Sequence, residues 1–321
     1  MKAAQITATG GPDVFQMVEL PDPVVGPHDI LIRQAAVGLN FIDTYRRTGL
    51  YPVSMPAVLG SEGAGVVEAV GAEVTRFKVG GLAAYAGGLG AYAEKVAMLA
   101  DRAVPLPPSV GARVAAASML KGMTAEFLTR IWPLDAGDTV LVHAAAGGVG
   151  GILTQWLKHL GVTVIATVGT DAKAEIARRN GCDHVVIADD EDIAGKVRGF
   201  TQGQGVKVVY DSVGKDTFDA SLASLAKRGL FVSFGNASGP VPPVAPLRLS
   251  QAGSLFITRP TLFDYIATTA ELDRSAAALF EVIASGAVRI DIGQEWPLAD
   301  VAKAHEALEA RRTTGATLLI P

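Results

Sequence analysis

The chain has 321 residues, of which 49% are apolar and 19% charged, and its 28 Lys and Arg against 32 Asp and Glu leave a net charge of −4. That length suits two domains with a large core, and the acid-leaning balance offers no basic field for a nucleic-acid partner. No run reaches the roughly 18 apolar residues of a membrane span, the N-terminus lacks the apolar segment of a signal peptide, and the single Cys182 leaves no intrachain disulfide, so a cytoplasmic protein away from membranes is expected.

The first 120 residues or so hold short strand-like runs at 30–36, 63–70, 82–85 and 91–96, broken by Gly and Pro, which predicts a β-rich barrel or sandwich. An apolar pattern at helical spacing over 114–132 leads into a region where strands alternate with helices. The strands fall at 139–144, 162–168, 184–187, 206–210, 229–234 and 254–258, the signature of a doubly wound parallel sheet. After Arg259 and Pro260 come helical stretches at 265–285 and 298–310 and a last strand at 317–320. This tail is expected to rejoin the first domain, so that residues 1–122 and 262–321 form one domain and 123–261 an inserted one, with the substrate cleft between them.

The strand at 139–144 runs through a glycine turn into a helix at 151–160, where Ile152, Leu153, Trp156, Leu157 and Leu160 recur at helical spacing. Ala144-x-x-Gly147-x-x-Gly150 keeps the frame of the dinucleotide fingerprint, with Ala144 in place of the first glycine. Glycine there lets the backbone approach a pyrophosphate, and the free N–H groups of the first helical turn supply donors and a positive dipole end. A glycine turn alone also closes ordinary loops; the second strand at 162–168, at the distance a βαβ unit requires, is what favours the cofactor reading.

NAD-specific folds place an acid at the end of the second strand, about 20 residues after the fingerprint, to hold the ribose 2′-hydroxyl. Asp171 stands near that place, but the strand ends at Val168-Gly169 and Asp171 reads better as a helix N-terminal residue stabilised by the dipole. Gly169 leaves room instead of a carboxylate, and Lys173 either faces a 2′-phosphate or is an ordinary exposed helix lysine. The expected cofactor is NADPH.

A barrel-like domain with an inserted nucleotide domain resembles the medium-chain dehydrogenase/reductase superfamily, many members of which are zinc alcohol dehydrogenases. Here Cys182 and the five histidines (His28, His143, His159, His184, His305) lack ligand spacing, and Ser61 stands in Leu59-Gly60-Ser61-Glu62-Gly63 where zinc members carry a ligand histidine, so no metal is expected. The blocks Asn40 to Tyr45, Gly49 to Pro52, Lys121 to Thr124, His143 to Gly150, Val209 to Gly214, Val232 to Asn236 and Thr258 to Pro260 are similar to the zinc-independent, zeta-crystallin-like quinone oxidoreductases of that superfamily. The resemblance spans nearly the whole chain.

It implies a Rossmann parallel sheet inserted in a β-rich GroES-like barrel domain, NADPH:quinone oxidoreductase activity, a homodimer, and a cofactor in the interdomain cleft. It also implies cofactor contacts at Asn40, Phe41 and Tyr45 near the nicotinamide, and at Tyr51 and Thr124 nearby. Gly147, Gly148, Val149 and Gly150 fall at the pyrophosphate, Gly169 and Lys173 at the adenosine phosphate, and Ser212, Phe234, Gly235, Arg259 and Arg311 further round. One partner is missing: similar proteins carry a tyrosine beside the 2′-phosphate where this chain has Ala188, followed by Asp189, Asp190, Glu191 and Asp192, which weakens the case for strict NADPH preference.

Hydride chemistry needs residues that orient the reactants and stabilise charge developing on an oxygen. Tyr45 is either a hydrogen-bond donor, since a phenol stays protonated at neutral pH, or only a packing partner of the nicotinamide; Asn40 holds the ring or the acceptor oxygen. Arg259 either neutralises a phosphate or pairs structurally. The substrate is a quinone or, with the same hydride and a similar oxyanion, an enone or alkenal. A non-catalytic NADPH-binding or RNA-binding role is the alternative of another class, against which the acidic balance argues.

Overall fold

The computed structural model describes residues 1–188 and 192–321, and the chain divides into two compact units: Met1–Met123 with Ile266–Ser285 and Ile290–Pro321, and Thr124–Tyr265 with Gly286–Arg289. The first unit opens with β1 (Lys2–Ile6), β2 (Gln16–Glu19), β3 (Asp29–Leu39), α1 (Phe41–Thr48), β4 (Ala57–Val58), β5 (Glu62–Val70), β6 (Leu82–Ala86), β7 (Lys95–Leu99) and β8 (Val104–Pro105). Helix α2 (Ala112–Arg130) follows, then β9 (Thr139–Val142), α3 (Gly148–His159), β10 (Thr163–Val168), α4 (Asp171–Arg179), β11 (His184–Ile187), α5 (Ile193–Phe200), β12 (Val206–Asp211), α6 (Phe218–Ser224), β13 (Leu225–Ser233), α7 (Pro246–Gln251), β14 (Phe256–Thr258) and α8 (Leu262–Tyr265). The chain ends with α9 (Thr269–Ala284), β15 (Ile292–Pro297), α10 (Val301–Glu309) and β16 (Ala316–Ile320).

In the first unit, β3 is the hub. It pairs antiparallel with β5, β7 and β16 in a seven-stranded sheet, while β1 sits between β2 and β4 in a second, three-stranded one. Ile30 and Ile32 of β3 go into the core with Leu59, Val67, Tyr85, Tyr92 and Leu319, whereas Arg33 points to solvent. The alternation is what a sheet with one buried face demands.

The second unit is a six-stranded parallel sheet in the order β11-β10-β9-β12-β13-β14. Its central strands are buried on both faces, so Val140 to Val142, Val164 to Ala166 and Val208 to Tyr210 read as unbroken apolar runs. Sequence-adjacent β10 lies on one side of β9 and β12 on the other, so the strand order reverses at β9 and opens a crevice outside the carboxyl ends of the strands.

Several elements differ from the sequence reading. The strand expected at 91–96 lies at Lys95–Leu99, because the Gln34 amide takes the carbonyls of Ala91 and Ala93, both at 2.7 Å, and Tyr92 is buried beside them. Helix α3 starts at Gly148, so the glycine turn is part of its first turn rather than a loop before it. The helix expected over 265–285 is two helices, with Thr268 breaking them. Its hydroxyl accepts from the Glu271 N–H at 3.2 Å, and the Glu271 carboxylate accepts from the Thr268 N–H at 3.0 Å, a capping box that starts α9 afresh.

Candidate active site

In the second unit the predicted cofactor residues follow the carboxyl ends of successive parallel strands. Gly147 to Gly150 follow β9, Gly169 and Lys173 follow β10, Ser212 follows β12, Phe234 and Gly235 follow β13, and Arg259 follows β14. Local geometry explains each. Ala144, with φ of 52°, takes the left-handed backbone that glycine adopts most cheaply, and its carbonyl accepts from the Gly147 N–H at 2.9 Å. A Cβ on Gly150 would stand 2.4 Å from the Ala144 oxygen, so only glycine lets α3 pack this close to β9. Gly147 is the N-cap of α3 and no side chain caps that end, which leaves its first N–H groups for an anion.

Thr170 caps α4 by accepting from the Lys173 N–H at 3.3 Å, and Asp171 is the first residue of that helix, in keeping with a dipole role rather than a ribose ligand. Ala188 packs against the apolar core of this unit. Asp192 accepts from the Gly195 N–H at 3.0 Å and so caps α5, while Asp189, Asp190 and Glu191 lie outside the described residues. The Arg259 guanidinium donates to the Ser233 carbonyl at 2.9 Å, tying β14 to β13 just before Phe234.

A buried cluster that the sequence reading did not single out supports this edge. Asp211 accepts from the Val213 and Gly214 N–H groups at 2.7 and 2.9 Å, and from the hydroxyls of Thr217 at 2.7 Å and Ser221 at 2.9 Å, holding the turn that carries Ser212. Because the Ser221 proton goes to Asp211, Ser221 accepts from His143 Nε2 at 2.9 Å, and His143 Nδ1 accepts from the Thr167 hydroxyl at 2.8 Å. Burial lowers the His143 pKa against the pull of Asp211. This neutral imidazole fastens β9, β10 and α6 together beneath the glycine turn.

In the first unit, Asn40 is the N-cap of α1, and the Asp43 carboxylate accepts from its backbone N–H at 3.0 Å. Phe41, Tyr45 and Tyr51 form an aromatic group, with Tyr45 and Tyr51 edge to face at 5.4 Å and Phe41 6.2 Å from Tyr45. The Tyr51 N–H donates to the Tyr45 carbonyl at 3.0 Å, which folds the segment after α1 back onto it. Thr124 is buried within α2, and Arg311 is exposed on a left-handed turn after α10.

Two charged networks lie under Asn40. In one, Glu62 is fully buried and accepts from Asn40 Nδ2 at 2.9 Å, from Lys121 Nζ at 2.7 Å and from the Leu120 N–H at 2.7 Å. In the other, His305 Nδ1 accepts from Arg47 at 3.4 Å, Nε2 donates to Tyr92 at 3.0 Å, and the Tyr92 hydroxyl donates to Asp43 at 2.9 Å. Burial, with Arg47 adding to it, lowers the His305 pKa to about 3, and burial raises that of Asp43 to about 6 against the opposing charge of Arg46. Ser61 is enclosed between these groups, donating to Asp43 at 3.3 Å and accepting from the Arg46 guanidinium. Among the described residues no group of three or more His, Cys, Asp and Glu is arranged to hold a metal.

The alcohol dehydrogenase GroES-like domain family matches residues 26–108, and the zinc-binding dehydrogenase family matches residues 148–281. A quinone oxidoreductase of Pseudomonas aeruginosa is 50% identical over 100% of this chain and 99% of its own. The crystal structure of Escherichia coli quinone oxidoreductase complexed with NADPH aligns with a TM-score of 0.98 at 45% identity, covering 100% of both chains. A 2-haloacrylate reductase of a Burkholderia species is 41% identical over 99% of this chain and 98% of its own. Sequence likeness of this extent over two matched domains means that the chain belongs to the quinone oxidoreductase branch of the medium-chain dehydrogenase/reductase superfamily.

Proposed function

We propose that this protein is an NADPH-dependent quinone oxidoreductase that works without a metal, as a cytoplasmic homodimer. The observation that carries the reading is the uncapped start of α3 at the strand-order reversal, where Gly150 lies against the Ala144 carbonyl and, among the described residues, no side chain caps the free N–H groups. Those groups fit a pyrophosphate, and the Escherichia coli relative, alike over its full length, was solved with NADPH.

When bound, NADPH supplies the hydride. Gly147 to Gly150 hold the pyrophosphate, Gly169 and Lys173 the adenosine phosphate, and Ser212, Phe234, Gly235 and Arg259 line the same strand ends, while Thr124 and Arg311 add contacts of their own. Asn40, Phe41, Tyr45 and Tyr51 serve the nicotinamide end. Tyr45 is the donor to the acceptor oxygen as charge develops there. Specificity for NADPH rests on Gly169 and Lys173, since Ala188 brings no hydroxyl.

Steady-state oxidation of NADPH with 1,4-benzoquinone, set beside a simple alkenal, tests this reading. A larger kcat/KM with the quinone supports it. Tight NADPH binding without turnover of any quinone overturns it in favour of a non-catalytic NADPH-binding or RNA-binding protein. A larger kcat/KM with the alkenal points to the second reading, reduction of an activated carbon–carbon double bond, which the likeness to the 2-haloacrylate reductase favours.

A further inference from the structure

Asn40 Nδ2 carries two protons and has two acceptors within reach, the Gly38 carbonyl at 3.3 Å and Glu62 Oε2 at 2.9 Å. Only the nitrogen end of an amide can face a carboxylate, so Glu62 dictates which way this side chain is turned. Glu62 is itself immobilised. Lys121, only 5% exposed, donates to the same oxygen at 2.7 Å, and the Leu120 N–H holds the other at 2.7 Å. Asn40 Oδ1, which accepts at the start of α1, keeps a second lone pair, so an acceptor is the hydrogen-bonding capacity this amide has left.

We infer that the buried Glu62–Lys121 pair is a positioning element that fixes the Asn40 amide with its nitrogen inward, so that Asn40 offers an acceptor to the carboxamide of the nicotinamide and no donor to the quinone. This deepens the reading of Asn40 as a nicotinamide neighbour and rests on it. It also assigns the two roles left open by the sequence: Asn40 recognises the carboxamide N–H, and the hydrogen bond to the acceptor oxygen falls to another group, Tyr45. Neither Glu62 nor Lys121 touches the ligand. Their effect is to set the sense of one hydrogen bond.

The test compares binding of NADPH with binding of its 3-acetylpyridine analogue, in which a methyl ketone replaces the carboxamide and no N–H remains. Affinities come from fluorescence titration of the full chain, with no turnover involved. The native protein is expected to bind the analogue about tenfold more weakly, the consequence of one buried acceptor left unsatisfied. Glu62→Gln with Lys121→Met removes both charges together and frees the amide to turn, so the preference should fall to within about twofold. Glu62→Gln alone gives the same readout where the double variant does not fold, and Lys121→Arg, which keeps the ion pair, should retain the preference. A purely structural role for the pair would weaken both ligands alike and leave their ratio intact.

Asn40→Ala separates the two layers of the argument. Loss of the preference in Asn40→Ala, with full preference in Glu62→Gln and in Glu62→Gln with Lys121→Met, overturns the positioning role alone. Full preference in Asn40→Ala, or none in the native protein, overturns the nicotinamide role of Asn40 and the inference with it.

Discussion

The two units build their parts of the site from different material. In the second unit the proposed binding surface is backbone: free N–H groups, a left-handed Ala144 and glycines whose missing Cβ atoms allow close approach. In the first unit it is side chains, Asn40 and Tyr45, set above buried charge networks through Glu62, Lys121, Asp43, Tyr92 and His305. A backbone site is tolerant of charge and intolerant of volume. A side-chain site over buried ions is the reverse, and substitutions of opposite kinds should break each.

The largest effect is expected at the ion pair. Lys121→Met deletes one partner and leaves Glu62, fully buried, without its cation, which should cost about 3–5 kcal/mol of stability. Urea unfolding measures it, and adding Glu62→Gln should restore a substantial part, since the uncompensated charge is then gone. A Lys121→Met protein as stable as the native one would mean that the pair is dispensable and that the first unit does not depend on its buried charges.

Gly150→Val is the matching test of volume in the second unit. Its Cβ would meet the Ala144 oxygen at 2.4 Å and the Ala145 Cα at 2.9 Å, both backbone atoms that cannot swing aside. NADPH affinity should fall at least about a hundredfold, roughly 3 kcal/mol. Unimpaired affinity would show that the start of α3 does not bear the pyrophosphate.

How visible each region is from sequence follows from the same contrast. The glycine turn is local: strand, Gly147, Gly150 and helix lie within one short stretch, and with the second strand at 162–168 close behind, the spacing suggested a phosphate site. The alternation of strands and helices from residue 139 onward likewise announced the parallel sheet, because its doubly buried strands are mostly apolar. The network under Asn40 joins residues 22 and 59 positions apart, brought together only by β3 pairing with β5 and by α2 passing close to them. Asp43 and Lys121 lay inside family-like blocks and Glu62 in the segment where zinc members carry a ligand histidine, but nothing in a linear pattern says that their charges meet. For the same reason the strand expected at 91–96 misses: the partner that consumes its carbonyls, Gln34, is 57 and 59 residues away.

The dependence of stability on pH should report on the buried charges of the first unit, where His305 and Asp43 act with opposite consequences, while the neutral His143 of the second unit acts in the same sense as His305. Folded protein keeps His305 neutral down to about pH 3 while the unfolded chain takes up a proton near 6.5, so acidification through that window favours unfolding, by up to about 1.4 kcal/mol per pH unit. Asp43 acts the other way. It binds its proton at about pH 6 when folded and near 3.8 when unfolded, so stability is gained as pH falls through that interval. His305→Gln should remove the first slope and leave the second, so that the variant loses less stability than the native protein between pH 6.5 and 4. Parallel curves for the two proteins would mean that His305 does not stay neutral in the fold.

Tyr45→Phe probes function and keeps the ring against Phe41 and Tyr51. As the donor to the acceptor oxygen it should be worth about tenfold in kcat, the net worth of one hydrogen bond, with NADPH affinity preserved. An unchanged kcat/KM for quinone would remove Tyr45 from any proton-donating role and leave it as packing.

The smallest effect belongs to Ala144. Its left-handed backbone costs a side-chain-bearing residue about 1–2 kcal/mol, and glycine would avoid that while adding roughly 0.4–1 kcal/mol of unfolded-state entropy to be lost on folding. The Ala144 methyl is exposed, so little packing is forfeited. Ala144→Gly should therefore stabilise the protein by up to about 1 kcal/mol, read as a higher urea midpoint at unchanged m. A destabilised Ala144→Gly would show that the methyl group holds the turn in place, and the second unit would then depend on a side chain after all.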